Sequence, residues 1–342
     1  KPIAGVEGYF IDEESYRIAL TDESIAFENQ TFVVFDIETT GFSANFNDII
    51  EIGAVKIKNG FVLDNFLTFV QPTRLISSKI TEITNITNDD VATAPTIDTV
   101  LPKFLDFINE AILVAHNAHF DTSHLYAQMK RLGLYQKDFP CLDTLQLARV
   151  LYNEKIKRFN LAAVAKELKV ELVEHHRALS DAKTTANIFL KMLGDLADLG
   201  ITNYGDVNQI INPNEAFKFV IPAHINLLVK NKTGLKNFYK IISDSHTTHF
   251  YKEPRILKSV LSKYREGLLV GSGCVNGDIF KTAFEKSYDE LIEKARFYDF
   301  LEVQPPECYQ HLVEESGEKI TAEFIKTTIN TIIKAGNELG IP

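Results

Sequence analysis

Four apolar residues in a row, Phe32-Val33-Val34-Phe35, run without interruption into Asp36-Ile37-Glu38-Thr39-Thr40-Gly41. An unbroken apolar run bounded by polar residues reads as a strand covered on both faces. Such a strand needs helices above and below it, which commits the surrounding chain to a layered α/β sheet. Side chains alternate along a strand, so Asp36 and Glu38 at its end share one face. Two carboxylates held that close repel each other, and each resists ionisation unless a cation lies between them. Hard oxygen donors of this kind favour Mg²⁺ or Mn²⁺ over zinc. Taken alone, the Asp-x-Glu pair reads equally as a solvated acidic turn.

The surrounding pattern supports the sheet. Asn59-Gly60 separates two extended stretches, Ile49–Lys58 and Phe61–Val70, and predicts a hairpin with a primed two-residue turn. Helical patterns follow over Leu101–Ile108, Phe120–Leu132, Leu145–Leu151, Leu161–Leu168 and Ser180–Leu193, with a buried strand at Ile112–Ala115. Gly133 and Gly194 are expected to end their helices. The polar stretch 200–215 reads as a linker. Beyond it, strand-like runs at Ile225–Val229, Gly267–Val270 and Phe300–Val303 alternate with helical stretches at Leu235–Ile242, Ser287–Phe297 and Ala322–Leu339. That repetition predicts a parallel sheet or barrel. Pro2–Phe10 reads as one short strand ahead of an acidic connector, residues 12–28.

Two further elements carry chemistry. His116-Asn117-Ala118-His119-Phe120-Asp121 turns a buried strand into a helix, with Asp121 near the helix start. By itself Asp121 is a first-turn acid favoured by the helix dipole. His175-His176-Arg177-Ala178-Leu179-Ser180-Asp181 opens the last helix of the block. A neutral imidazole at His176 suits a base that takes a proton from water, and Asp181 is rigidly placed by the helix. The plain alternative is a pair of surface histidines and a helix-start acid. Three such elements at the ends of one sheet point to a common site.

Asp36-x-Glu38, Asp121 and His176-x4-Asp181 resemble the three motifs of the DnaQ-like (DEDDh) 3′–5′ exonucleases. The resemblance covers residues 31–193 and implies a ribonuclease-H-like mixed sheet. It implies two Mg²⁺ or Mn²⁺ ions held by Asp36, Glu38, Asp121 and Asp181, one for the attacking water and one for the leaving 3′-oxygen. His176 would be the general base, with His175 beside it, and the product a nucleoside 5′-monophosphate. The expected substrate is a single-stranded or frayed 3′ end of DNA. Thr39, Thr40, Gly41, Phe42, Asn117 and Phe120 are the expected substrate contacts, with Phe46 as a further stacking ring. Lys155, Lys157 and Arg158 form a basic cluster that reads equally as a phosphate contact or a solvated loop.

The flanks resemble a second family. Gly5-Val6-Glu7-Gly8-Tyr9, residues 230–240, residues 250–256 and residues 267–274 look like the PHP domain of PolC-type bacterial replicative polymerases, in which the exonuclease is inserted within a metal-binding (βα) barrel. The expected division is a PHP fragment and connector over 1–29, the exonuclease over 30–196, a linker over 197–216 and a truncated PHP part over 217–342. Glu7, His224 and Cys274 match PHP ligand positions. The family's paired-histidine segment would precede Lys1 and its closing segment would follow Pro342, so the chain is expected to be an excerpt without PHP catalysis. The remainder of the polymerase and the replisome are the expected partners.

Composition sets outer bounds. With 45% hydrophobic and 24% charged residues, the chain is no collagen, coiled coil or disordered tail. No apolar run reaches the roughly 18 residues of a bilayer span, so no membrane partner is expected. Three cysteines are too few for a disulfide framework, and a cytoplasmic setting is expected. The net charge of −10 argues against a nucleic-acid binder until its distribution is seen, because the first 29 residues carry 7 acidic and 2 basic groups. Two rivals stand beside the proofreading reading: a stand-alone enzyme of the same type that trims RNA 3′ ends, and a scaffold that holds a primer end without cutting it.

Overall fold

The computed structural model of the chain describes residues 3–44, 46–172, 177–212, 214–316 and 320–342. These divide into two compact units, one formed by residues 1–16 with 212–342 and the other by 17–211. Strand β1 (Gly5–Ile11) belongs to the first.

The second unit holds β2 (Thr31–Thr39), β3 (Ile49–Lys58), β4 (Phe61–Phe69), β5 (Ile112–Ala115) and β6 (Cys141–Asp143). Their order in the sheet is β4-β3-β2-β5-β6. β2 runs antiparallel to β3 and parallel to β5, so the sheet is mixed and open. The expected hairpin joins β3 and β4, with Asn59 and Gly60 both at positive φ (51° and 81°), as a primed turn requires.

The helices of this unit are α1 (Ser78–Thr84), α2 (Asn88–Val91), α3 (Ile97–Ile108), α4 (Ala118–Arg131), α5 (Thr144–Leu151), α6 (Leu161–Glu167) and α7 (Ala178–Asp198). Val33, Phe35 and Ile37 of β2 pack with Leu101 and Phe104 of α3 and Leu125 of α4. On the opposite face the Phe32 ring meets Phe189 of α7 edge-on at 5.0 Å. Alternate residues of β2 thus feed two cores, which is why its apolar run is continuous.

Three expectations change in this unit. Helix α7 passes through Gly194 and ends at Asp198, because Leu196 is buried and anchors another turn; Gly200, at φ 78°, reverses the chain. The 200–215 stretch is no bare linker. Tyr204–Ile210 forms a 3₁₀ helix, and the buried Tyr204 hydroxyl accepts the N–H groups of Thr21 (3.1 Å) and Cys141 (3.0 Å). Residues 18–20 of the expected connector lie along β6, where Ile18 O accepts the Asp143 N–H at 2.8 Å. Asn208 joins both segments: its Oδ1 accepts the N–H groups of Ile18 (2.8 Å) and Ala19 (3.0 Å).

In the first unit β1 is joined by β7 (Ala223–Val229), β8 (Phe250–Tyr251), β9 (Glu253–Leu257) and β10 (Leu268–Gly271), in the order β10-β7-β1-β9-β8. Helices α8 (Lys232–Thr247), α9 (Lys258–Lys263), α10 (Asp278–Glu285), α11 (Tyr288–Ala295), α12 (Gln310–Ser316) and α13 (Ala322–Leu339) complete it. The sheet is not a closed barrel. β7 runs antiparallel to both β1 and β10 while β1 runs parallel to β9, so the sheet is open and mixed rather than parallel. Phe300–Val303 forms no strand; Phe300 makes a single bridge to Gly271, and Tyr309 and Leu301 take up the packing there. Among the described residues no helix is long and apolar enough to cross a membrane.

Candidate active site

The end of β2 presents Asp36 and Glu38 on one face, as the alternation requires. α7 brings Asp181 to them, and oxygens of Asp36, Glu38 and Asp181 all lie within 4.8 Å of one another. Asp121, buried in the first turn of α4, accepts the backbone N–H of Ile37 at 3.1 Å. Pairing between β2 and β3 shifts register after Glu38, so that Thr39 stands opposite Ile49, a bulge beside the carboxylate pair.

The electrostatics are those of crowded acids. Burial holds Asp36 well above the usual carboxylate range, and the charges of Asp121, Glu38, Asp181 and Glu51 add to it. Glu38 is pushed up to about 8 by burial first, then by Glu51 and Asp181, with Arg177 opposing. Asp121 is raised by burial, against which the Ile37 N–H acts. Ionising this set together is unfavourable without positive charge among them. The donors are carboxylate oxygens only, a set that fits a hard divalent cation such as Mg²⁺ or Mn²⁺.

His175 and His176 lie outside the described residues. The described chain resumes at Arg177, directly before α7. Thr39 is buried, and its hydroxyl donates to Gly41 O at 2.7 Å. Thr40 Oγ1 accepts the Asp48 N–H at 2.9 Å. Both threonines therefore shape the turn after the strand. Gly41 passes so near Asn47 that a Cβ would sit 2.6 Å from its amide nitrogen. Phe42 and Phe46 are 45% and 36% exposed beside this turn. Asn117 is exposed in the left-handed region at φ 70°. The half-buried Phe120 ring packs on His124, their centroids 4.6 Å apart. Lys155, Lys157 and Arg158 are exposed in the connection between α5 and α6.

Sequence reasoning passed over Glu51 and Arg177. Glu51 is fully buried in β3, where it faces Glu38 across the ladder, and Arg177 Nη2 donates to its Oε1 at 2.8 Å. The signal was an acid within the apolar run Ile49–Val55, since a buried polar residue is informative where an exposed apolar one is not.

A second cluster forms in the other unit. Glu7 on β1, His224 on β7 and Cys274 after β10 place ligand atoms within 4.8 Å of one another. Glu7 Oε1 is 2.5 Å from His224 Nδ1, and Cys274 Sγ is 3.2 Å from the same nitrogen. Burial raises the Cys274 thiol above its ordinary range, and Glu7 adds to the rise. Oxygen, nitrogen and sulfur donors together suit a borderline transition metal better than Mg²⁺.

Two family models match the chain: Exonuclease over residues 33–189 and PHP domain over residues 113–301. Among curated relatives, DNA polymerase III PolC-type of Staphylococcus aureus (strain bovine RF122 / ET3-1) is 40% identical over 342 residues, all of this chain and 24% of that protein. The PolC-type polymerase of Bacillus cereus (strain ATCC 14579) is 40% identical over the same span, again 24% of its length. The chain thus spans about a quarter of these relatives. Among solved structures, exonuclease X in complex with 5′ overhanging duplex DNA is 27% identical, with 52% of this chain and 99% of that chain covered and a TM-score of 0.42. The nuclease domain of 3′hExo, a DEDDh family member bound to rAMP, is 22% identical with a TM-score of 0.44, over 49% of this chain and 93% of that one. The chain belongs to the PHP domain family, matches the Exonuclease model over residues 33–189, and is similar over its whole length to a quarter of PolC-type DNA polymerase III.

Proposed function

We propose that residues 17–211 act as the proofreading 3′–5′ exonuclease of a PolC-type replicative polymerase, with residues 30–196 as the nuclease proper. The first and last parts of the chain, up to 16 and from 217, are then the host PHP domain. The observation that carries the reading is the convergence of Asp36, Glu38 and Asp181, with Asp121 tied to the peptide between the first two. End-to-end similarity to PolC-type chains supports the choice of a polymerase-borne nuclease over a stand-alone RNA-trimming enzyme. The intact carboxylate set speaks against a non-cutting scaffold.

In this reading Asp36, Glu38, Asp121 and Asp181 hold two divalent ions. Such ions supply the positive charge that a scissile phosphate and an attacking water require. His176 accepts the proton of that water. Phe42 and Phe46 stack the terminal bases of a single-stranded or frayed 3′ end, Asn117 and Phe120 border the last nucleotide, and Thr39, Thr40 and Gly41 form the turn against which it rests. Hydrolysis of the last phosphodiester releases a nucleoside 5′-monophosphate. The Glu7–His224–Cys274 cluster holds a metal of its own in the PHP domain. DNA synthesis belongs to the full-length polymerase, whose remaining domains and replisome are the partners, in the cytoplasm.

The test is incubation of the purified chain with Mg²⁺ and a primer–template carrying a mismatched 3′ end, with matched RNA in parallel. Stepwise loss of mononucleotides from the DNA 3′ end, abolished by chelator and by Asp36→Ala, is the expected result. No cleavage with any divalent ion overturns the enzymatic reading, and preference for RNA overturns the proofreading assignment.

A further inference from the structure

Asp121 and Asp181 occupy the same place in their helices. α4 begins at Ala118 and α7 at Ala178, both alanines fully buried, and each acid follows three residues later. The first N–H groups of a helix have no partner within it and are usually met by the side chain just before. Neither helix has that arrangement: Asn117 and Arg177 make no side-chain cap hydrogen bond.

In both cases the acceptor comes from another element. Asp143, the last residue of β6 and the local N-cap of α5, where its Oδ1 accepts the Leu145 N–H at 2.8 Å, also accepts the N–H of Asn117 with Oδ1 at 3.1 Å and that of Ala118 with Oδ2 at 3.2 Å. Glu51 of β3 accepts the N–H of Ala178 with Oε2 at 2.9 Å. Glu51 also grips the cap residue itself, since the Arg177 guanidinium donates to it and lies over the Phe69 ring of β4 at 5.3 Å. Two residues along β3, Gly53 lets the first turn of α7 come so close that a Cβ there would be 2.1 Å from Leu179 N.

A cap drawn from a neighbouring strand does something a local cap cannot. It ties the helix start to the sheet, so the position of the strand is passed on to the acid one turn later. Glu51 stands opposite Glu38 in the β2–β3 ladder, and Asp143 stands opposite Ala115 in the β5–β6 ladder. Asp36 and Glu38 are already fixed by β2. A shared ion-binding point demands that ligands on separate elements agree to within about half an ångström. Burying two more acids beside four others is electrostatically unfavourable; Asp143 also caps α5 locally, whereas Glu51 lies within β3 and caps no helix of its own, so its retention calls for a return from α7.

We propose that Glu51 and Asp143 are positioning residues: each caps, from a neighbouring strand, the helix that delivers one carboxylate to the site, and so sets Asp181 and Asp121 against Asp36 and Glu38. The proposal rests on the exonuclease reading above for what the carboxylates do.

The experiment compares the wild-type chain with Glu51→Gln, Asp143→Asn and Asn160→Ala, all in a His224→Ala background that removes the second cluster. Asn160 caps α6 in the ordinary local way, by accepting the Ala163 N–H at 3.0 Å, and α6 carries no site carboxylate. Mn²⁺ affinity is read without DNA from the electron paramagnetic resonance of free Mn²⁺, and kcat and KM are read on the mismatched primer. Glu51→Gln and Asp143→Asn are expected to weaken Mn²⁺ binding and lower kcat by about 10- to 100-fold, with KM nearly unchanged, as outer-shell partners of metal ligands do. Asn160→Ala is expected to lower the unfolding temperature alone. If the two acid variants lose only stability, as Asn160→Ala does, and keep Mn²⁺ affinity and kcat, the proposal is overturned. Should one of them not fold, the other decides. A wild-type chain that binds Mn²⁺ but cuts nothing sinks the exonuclease reading, while the Mn²⁺ comparison still judges the capping.

Discussion

Asp121 accepts the N–H of Ile37, so an acid from α4 is fastened to the peptide that separates the two acids of β2. The bond needs no cation. It holds the carboxylate among like charges in the metal-free chain, with the repulsion borne by the fold.

That repulsion can be relieved by mutation. Asp36→Asn replaces a carboxyl whose ionisation burial, Asp121, Glu38, Asp181 and Glu51 all oppose in the folded chain. The metal-free variant is expected to melt higher than wild type by roughly 3 °C, about what 1 kcal/mol produces in a unit of this size. Mg²⁺ should raise the melting temperature of wild type and leave that of the variant nearly unchanged, with nuclease activity lost. Calorimetry with and without EDTA checks both.

The pH dependence has a definite sign. Glu38 titrates near 8 when folded against 4.5 as its ordinary value, and Asp36 and Asp121 shift the same way. Above 4.5 the unfolded chain gives up protons that the folded chain retains, so stability from these groups falls as pH rises towards 8. In EDTA the melting temperature is expected to decline across that window. Saturating Mg²⁺ should flatten the decline, because the cation favours the ionised carboxylates. Melting curves at stepped pH in the two buffers are the measurement.

The second cluster predicts a spectroscopic signature. Co²⁺ bound by Glu7, His224 and Cys274 should show a thiolate charge-transfer band in the near ultraviolet. Cys274→Ser is expected to abolish the band and leave nuclease activity intact. Persistence of the band in that variant removes Cys274 from the ligand set.

Tyr204→Phe tests whether the stretch after α7 belongs to the nuclease unit. Losing the hydroxyl strands the N–H groups of Thr21 and Cys141, an expected cost of about 1–3 kcal/mol. Denaturant unfolding followed by limited proteolysis near residue 200 measures it. An unchanged midpoint would make the 3₁₀ turn incidental.

Local features were legible in the sequence and distant ones were not. The apolar run of β2, the Asn59-Gly60 turn and the shared face of Asp36 and Glu38 depend on neighbours along the chain. Glu51 was visible as an acid out of place, but its partner Arg177 lies 126 residues away, and no spacing rule spans that. Gly194 looked like a helix end because nothing in the motif shows that Leu196 has a core to enter. The first unit was read as a parallel sheet or barrel from the alternation of strand and helix patterns, which says nothing about strand direction. Only pairing shows that β7 runs against its neighbours.

The bonds from Asn208 to Ile18 and Ala19 bear on how one domain can sit inside another. They draw the two ends of residues 17–211 together, so this unit begins and finishes at nearly one place. A disordered stretch of that length would tax the host with loop-closure entropy, whereas a pre-closed cassette weighs on it as little as a short turn between Tyr16 and Asn212. Such a cassette can be excised, or acquired, without asking the surrounding strands to learn a new topology.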